Sequence, residues 1–239
     1  MGKGPISAMV RRVAHAIVPP SVLKYQIALR NYYRGEAEIH LLDSLVDPSR
    51  TAADVGAYLG TYTFFLARRC RHVHAFEPQV ACVKFLQSAY RKRVTVHHCA
   101  LADCTGSAVI RDQGQSAHIV AEYHSGEVVP VKSLDEFAFT DLGFLKIDAE
   151  GTERRIVEGA EQTIERCKPT MLIEAEERHG EQDIYEIFRY IADLGYRGFY
   201  YHEDRLKDLR TFSVEALQRA RLAGDTMQPY INNFIFRPK

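Results

Sequence analysis

The residues best suited to chemistry in this chain are acids set beside glycines. Asp54-Val55-Gly56-Ala57-Tyr58-Leu59-Gly60-Thr61 follows a short run from Thr51 and precedes Phe64-Phe65-Leu66, which reads as a strand, a glycine turn and a helix. Glycine has no β-carbon, so Gly56 and Gly60 let the backbone turn sharply and let a ligand approach the main chain of Ala57, Tyr58 and Thr61. About twenty residues on, His72 to Phe76 reads as a second strand ending in Glu77, whose carboxylate can accept hydrogen bonds from both hydroxyls of a ribose. Two strand ends would then grip one nucleoside.

The spacing favours one kind of nucleoside. A dinucleotide fingerprint runs Gly-x-Gly-x-x-Gly, whereas here the order is Asp54-x-Gly56-x-x-x-Gly60 with a bulky tyrosine at 58. An anion at Asp54 repels a pyrophosphate but attracts, directly or through water, the α-ammonium of an amino-acid tail. S-adenosylmethionine is therefore expected rather than NAD, although a glycine pair also serves turn geometry alone.

A second charged focus is Leu145-Lys146-Ile147-Asp148-Ala149-Glu150-Gly151-Thr152-Glu153. An apolar strand ends in Asp148, Glu150 follows, Gly151 turns the chain, and Thr152 is expected to cap a helix running through Val157 and Ile164 to about Cys167. Glu150 and Glu153 also suit a helix N-terminus, but Asp148 lies in the strand end and has another task. Lys146 shares a strand face with Asp148, so it is buried and needs a partner. Glu174, at the end of the strand Pro169 to Ala175, is the expected one.

The elements that position these groups alternate. Helix Val80 to Tyr90 and strand Val94 to His98 continue the pattern, which favours a parallel sheet with helices on both faces and a ligand at the C-terminal strand ends. The turn Cys99-Ala100-Leu101-Ala102-Asp103 then borders the adenine. Residues 106–131 read as an inserted β ribbon that shapes an acceptor pocket or merely extends an edge. Ser133 caps a short helical turn, and Ile184 to Leu194 form an amphipathic helix stopped by Gly195. Strands follow at Tyr196 to His202 and Asn232 to Phe236, joined through a helix at Ser213 to Leu222 and expected to pair antiparallel at the sheet edge.

Composition bounds the setting. The 239 residues suit one α/β domain, and 31 Lys and Arg balance 31 Asp and Glu, so nucleic acid is not an expected partner. Cys70, Cys82, Cys99, Cys104 and Cys167 show no Cys-x-x-Cys spacing, which points to a reducing compartment. No run of about 18 apolar residues and no signal segment is present, so a soluble, cytoplasmic protein is expected. Residues 1–35 hold Lys3, Arg11, Arg12, Lys24, Arg30 and Arg34 without an acid, interleaved with apolar residues at roughly helical spacing. They read as a helix packed on the domain, or as an amphipathic arm for a membrane surface or partner subunit. With a helix at Glu36 to Val46, residues 1–48 form a helical arm and 49–239 the nucleoside-binding domain.

The blocks Asp54 to Thr63, Phe76-Glu77-Pro78, Ala100-Leu101-Ala102-Asp103 with Gly106, Leu145 to Glu153, and Asn233-Phe234-Ile235-Phe236 together resemble the FkbM family of S-adenosylmethionine-dependent methyltransferases, from about Gly35 to Phe236. The resemblance implies a Rossmann-like class I methyltransferase, α/β, with a seven-stranded mostly parallel sheet, an antiparallel last strand and helices on both faces. It implies O-methylation of a hydroxyl on a sugar, glycolipid or natural product, with S-adenosylmethionine held by Asp54, Gly56, Ala57, Tyr58, Gly60, Thr61, Glu77, Ala100, Asp103 and Asp148. The chain departs from the family pattern at Tyr58, where asparagine is common, and at Ala149, where valine is common.

Methyl transfer from a sulfonium is an in-line displacement, so most of the catalysis is placing the acceptor oxygen with water excluded. A hydroxyl needs a base or a metal to help. Asp148 and Glu150 are candidates; if Asp148 instead binds the methionine end, His179 or His202 becomes the base. Carboxylates suit magnesium, but no spacing requires it, and no metal ligands are assigned. Two other readings stay open: a non-catalytic S-adenosylmethionine-binding module and, against the glycine spacing, a nicotinamide oxidoreductase.

Overall fold

The computed structural model describes residues 18–110, 119–120 (backbone alone), 126–149, 151–177, 183–224 and 229–239. Helix α1 (Pro20–Arg34), a tight helical turn (Ala37–Leu41) and the short α2 (Leu42–Leu45) precede β1 (Thr51–Val55), α3 (Thr61–Leu66), β2 (His72–Phe76), α4 (Val80–Ala89) and β3 (Val94–His97). Next come β4 (Ala100–Leu101), β5 (Gly106–Ile110), β6 (Ile119–Val120), β7 (Glu127–Lys132) and β8 (Leu142–Ile147). The rest is α5 (Glu153–Glu158), α6 (Glu161–Cys167), β9 (Thr170–Glu174), α7 (Ile184–Asp193), β10 (Tyr196–His202), β11 (Arg205–Asp208), a π-helical turn (Glu215–Arg219) running into α8 (Ala220–Leu222), and β12 (Asn233–Pro238).

Strands β1 and β8 are buried at every residue, as central parallel strands covered by helices on both faces must be. The large sheet has the order β11-β10-β12-β9-β8-β1-β2-β3. Strands β3, β2, β1, β8 and β9 are parallel, and β12 runs antiparallel to both β9 and β10. The expected mostly parallel sheet with an antiparallel last strand is thus present, with two differences. It has an eighth strand, because Glu203 and Asp204 both adopt left-handed φ and close a two-residue hairpin between β10 and β11. The last strand lies inside the sheet rather than at its edge, since it inserts between β9 and β10. The expected ribbon after Gly106 forms part of a separate sheet, β4-β7-β5-β6.

Two core clusters cover the two faces. One joins Leu145, Ile147, Ile156, Phe188 and Phe234; the other joins Ile39, Leu42, Ala52, Leu66 and Phe144, with Ala28 of α1. The helix expected over 36–46 is broken into a turn and α2, which lets Ile39, Leu42 and Leu45 all face inward. The helix expected from Thr152 to Cys167 is likewise split at Gly159 and Ala160. A β-carbon on Gly159 would lie 2.0 Å from the Ala102 carbonyl oxygen, so the break is where α5 and α6 meet the end of β4.

Candidate active site

The turn after β1 is tied to the ends of β2 and β8. The amides of Gly56 and Ala57 donate to the Phe76 carbonyl (3.0 and 3.1 Å), and the Asp148 amide donates to the Val55 carbonyl (3.0 Å). Gly56 sits at φ +77, and a β-carbon there would lie 1.7 Å from the Asp148 carbonyl oxygen, so only glycine fits. Tyr58 also holds a left-handed φ, of +45. That region is costly for tyrosine and readily adopted by asparagine.

Glu77 is 2% exposed and closes the turn from below. Its Oε2 accepts from the Tyr58 amide (2.7 Å) and its Oε1 from the Gln79 amide (2.8 Å). A carboxylate oxygen has two lone pairs, so each keeps one for a further donor, which suits a pair of ribose hydroxyls. Burial pushes the Glu77 carboxyl up to about 7. Asp54 is equally buried and accepts from the Thr63 hydroxyl (2.5 Å); burial pushes its carboxyl up to about 6. Thr61, at the start of α3, accepts from the Asn31 side chain (2.7 Å) and so docks α1 beside the turn. Gly60 takes φ +80, and Tyr90 donates to its carbonyl. Ala57 is buried in the same turn.

Ala100 is buried in β4, while the Asp103 carboxylate is partly exposed and paired with Arg155 (2.7 Å). The Asp103 side chain is thus already engaged by a cation.

The second half of the site surrounds Lys146, which is 1% exposed. Its Nζ lies 3.9 Å from Asp148 Oδ2, donates to Asn233 Oδ1 (3.3 Å) and sits 4.9 Å over the Tyr62 ring. The expected direct Lys146–Glu174 pair is not formed. Asp148 and Asn233 are closer, and the Glu174 carboxylate instead accepts from Asn232, whose amide also donates to Glu176 (2.7 and 2.8 Å). Burial alone would lower the Lys146 ammonium, but Asp148, Glu36, Glu174 and Asp54 outweigh it and hold the group above its ordinary value. Burial and then the nearby Asp148 push the Glu174 carboxyl well above the usual range.

Three residues that support this half, Glu36, Asn232 and Gln218, were not given a role in the sequence reading. Glu36 accepts from the Tyr62 hydroxyl and from Asn233 (3.5 Å), and Asn232 bridges two carboxylates. Gln218, on the π-helical turn, is fully buried and donates to the Ala175 and Ile231 carbonyls (2.9 and 2.8 Å), pinning the chain after β9. The available signals were that Glu36 ends an acid-free stretch and that Asn232-Asn233 opens an otherwise apolar strand.

Thr152 does not cap α5; its hydroxyl donates to the Ala149 carbonyl, and Glu153 accepts the Ala149 and Gly151 amides instead (3.1 and 3.0 Å). Asp148 is brought beside the glycine turn after β1 with its side chain 33% exposed. Glu150 and His179 lie outside the described residues. His202 ends β10, 3.8 Å from Glu203, in a strand next to the sheet edge. Among the described residues no group of three or more His, Cys, Asp and Glu is placed to hold a metal ion.

The raised carboxyls give stability an inverse pH dependence. Glu77, Asp54 and Glu38, the last also pushed by burial up to about 7, bind protons more tightly folded than unfolded. Between their ordinary range and about 7 the unfolded chain therefore loses protons first, and stability falls as pH rises. Urea unfolding is expected to give a free energy lower at about pH 8 than at about pH 5.5 by roughly 2 kcal/mol or more. A flat or rising profile would contradict the burial of these acids.

Residues 54–197 match the family model described as the methyltransferase FkbM domain. No curated protein matches the chain. Among solved structures, methyltransferase FkbM from Methylobacillus flagellatus KT superposes with a TM-score of 0.54 at 19% identity, covering 91% of this chain. The match covers 54% of that protein, so this chain spans about half its length. A TehB-like SAM-dependent methyltransferase from Corynebacterium glutamicum gives a TM-score of 0.50 at 11% identity, covering 92% of this chain and 98% of that one. A putative rRNA-methylase from Clostridium thermocellum also gives 0.50, at 10% identity, covering 84% and 94%. At these identities the structures speak for the fold alone, a class I methyltransferase fold, while the family model matches more than half of the chain. By that match the chain belongs to the methyltransferase FkbM domain family.

Proposed function

We propose that this chain transfers the methyl group of S-adenosylmethionine to a hydroxyl of a small-molecule or carbohydrate acceptor, such as a sugar, glycolipid or natural product. The observation that carries this reading is the position of Asp148. Its backbone is bonded to the cofactor turn at Val55, and its side chain meets the Lys146–Asn233 pair. One residue thus joins a nucleoside-binding half and a polar half.

S-adenosylmethionine supplies a methyl group on a sulfonium, open to in-line attack. Glu77 would hold the ribose hydroxyls, and Gly56, Ala57, Tyr58, Gly60 and Thr61 would form the turn against the amino-acid end, with Asp54 beneath it. Ala100 and Asp103 would border the adenine. Asn233 holds Lys146, which faces Asp148, and Asp148 orients the acceptor hydroxyl and takes its proton. Asp148, Glu36 and Glu176 make this half acidic, which repels anionic acceptors and suits a neutral polyol whose hydroxyls can donate. The five cysteines, all free, support a reducing, cytoplasmic setting.

The test is release of S-adenosylhomocysteine from S-adenosylmethionine across a panel of monosaccharides, glycolipids and polyketide alcohols. Asp148→Asn is expected to lower kcat by about a hundredfold or more with the homocysteine product still bound. Turnover unchanged in that variant would remove Asp148 from the role, and methylation confined to amines would overturn the hydroxyl reading. Since ribose hydroxyls donate to ionised Glu77, product affinity is expected to rise roughly tenfold or more from about pH 5.5 to about pH 8.

A further inference from the structure

Helix α1 buries Leu23 and Ala28 and turns a second apolar row to the outside. Val22, Tyr25, Leu29 and Tyr33 are all exposed, Leu29 at 55% and Tyr33 at 77%. Their spacing of three, four and four residues puts them along one stripe of the helix; the Tyr25 ring meets Phe64 edge-on at 5.3 Å, and among the described residues the stripe is otherwise left exposed.

The stripe is set among cations. Arg30 and Arg34 are exposed on the same helix, and the Arg68 guanidinium lies 5.5 Å from the Tyr25 ring. Lys24 donates to the Ala89 carbonyl (2.5 Å), which brings α1 against the end of α4, just before the exposed run Arg91-Lys92-Arg93. The balanced net charge hides this asymmetry. Residues 18–35 hold Lys24, Arg30 and Arg34 without an acid, and Arg68 and the run Arg91-Lys92-Arg93 add to them, whereas Arg69 and Arg71 are paired with Asp43 and Asp141.

We propose that this face docks on the surface of an anionic lipid bilayer, with the α1 stripe in the headgroup boundary and the surrounding Lys and Arg against the lipid phosphates. An apolar stripe with a basic surround is the pattern of an interfacial helix, and its positive charge complements anionic headgroups. Nucleic acid would engage the cations but offers no apolar phase for Val22 and Leu29. The helix lies on the surface rather than through it, since no helix among the described residues is long and apolar enough to cross a membrane. Asn31 is bonded to Thr61, and Glu36, just beyond the helix, to Tyr62, so the docked face adjoins the site.

The test is co-sedimentation of the full chain with vesicles of phosphatidylcholine and phosphatidylglycerol, mixed about two to one, and with phosphatidylcholine alone. The chain is expected to partition at least about tenfold more strongly onto the anionic vesicles, and added salt should weaken this. Leu29→Glu/Tyr33→Glu is expected to reduce that partition about tenfold or more, with the far-ultraviolet circular dichroism spectrum and S-adenosylhomocysteine binding unchanged. No binding to anionic vesicles, or binding that this variant leaves intact, would overturn the proposal. So would binding to a transfer RNA probe that excludes vesicles, or a dimer that the variant splits without any vesicle effect. The readout needs no turnover, so it stands or falls separately from the methyl-transfer reading.

Discussion

Gly56→Ala is expected to lower the unfolding free energy by at least about 3 kcal/mol and to abolish S-adenosylhomocysteine binding. The left-handed φ of +77 contributes about 1–2 kcal/mol of strain for an L side chain. The larger part comes from contact. The added carbon would lie 1.7 Å from the Asp148 carbonyl oxygen, which is backbone and cannot swing aside. Relief requires the ends of β1 and β8 to separate, which breaks the bond from the Asp148 amide to the Val55 carbonyl and moves both halves of the site apart. Gly106→Ala is the matched control. Nothing lies within 4 Å of its added carbon, and a change within about 0.5 kcal/mol is expected. Urea unfolding of both variants checks the pair, and equal losses would contradict the tight strand-end packing.

Lys146→Met is expected to cost about 3–5 kcal/mol at neutral pH, because it leaves Asp148, Glu36 and Asp54 facing one another without their shared cation. Methionine fills much of the volume, so the loss is electrostatic. It should therefore shrink as acid protonates the cluster, and Lys146→Met/Asp148→Asn should recover part of it. A loss that is the same at about pH 5 and about pH 8, and unchanged in the double variant, would show that the side chain is there for packing.

Much of the geometry of the glycine turn was legible because its determinants are local. Gly56 and Gly60 mark a turn by type, and Glu77 follows one strand later, so sequence spacing translates directly into a shared strand-end position. The polar half was legible only in part. Lys146 and Asp148 lie two residues apart, and their contact follows from strand geometry. The remaining partners come from Glu36 and Asn233, nearly 200 residues apart in the chain, and only the insertion of β12 beside β9 brings them together. Pairing Lys146 with Glu174 assumed that adjacent strands align their charged ends. The register places Glu174 opposite Asn233, and Asn233 takes the lysine. The Glu203-Asp204 hairpin was missed for a different reason, since neither residue carries the glycine or asparagine that usually marks such a turn.

The most direct test of the cofactor assignment is isothermal titration of the purified chain and of Glu77→Ala with S-adenosylhomocysteine, beside NAD. The site predicts one-to-one binding of the homocysteine compound, no binding of NAD, and at least about thirtyfold weaker binding by the variant, the ~2 kcal/mol of charge-assisted hydrogen bonds from ribose hydroxyls. A thermal melt establishes that the variant is folded. Binding of NAD in place of the homocysteine compound, or binding that a folded Glu77→Ala variant leaves unchanged, would contradict the account.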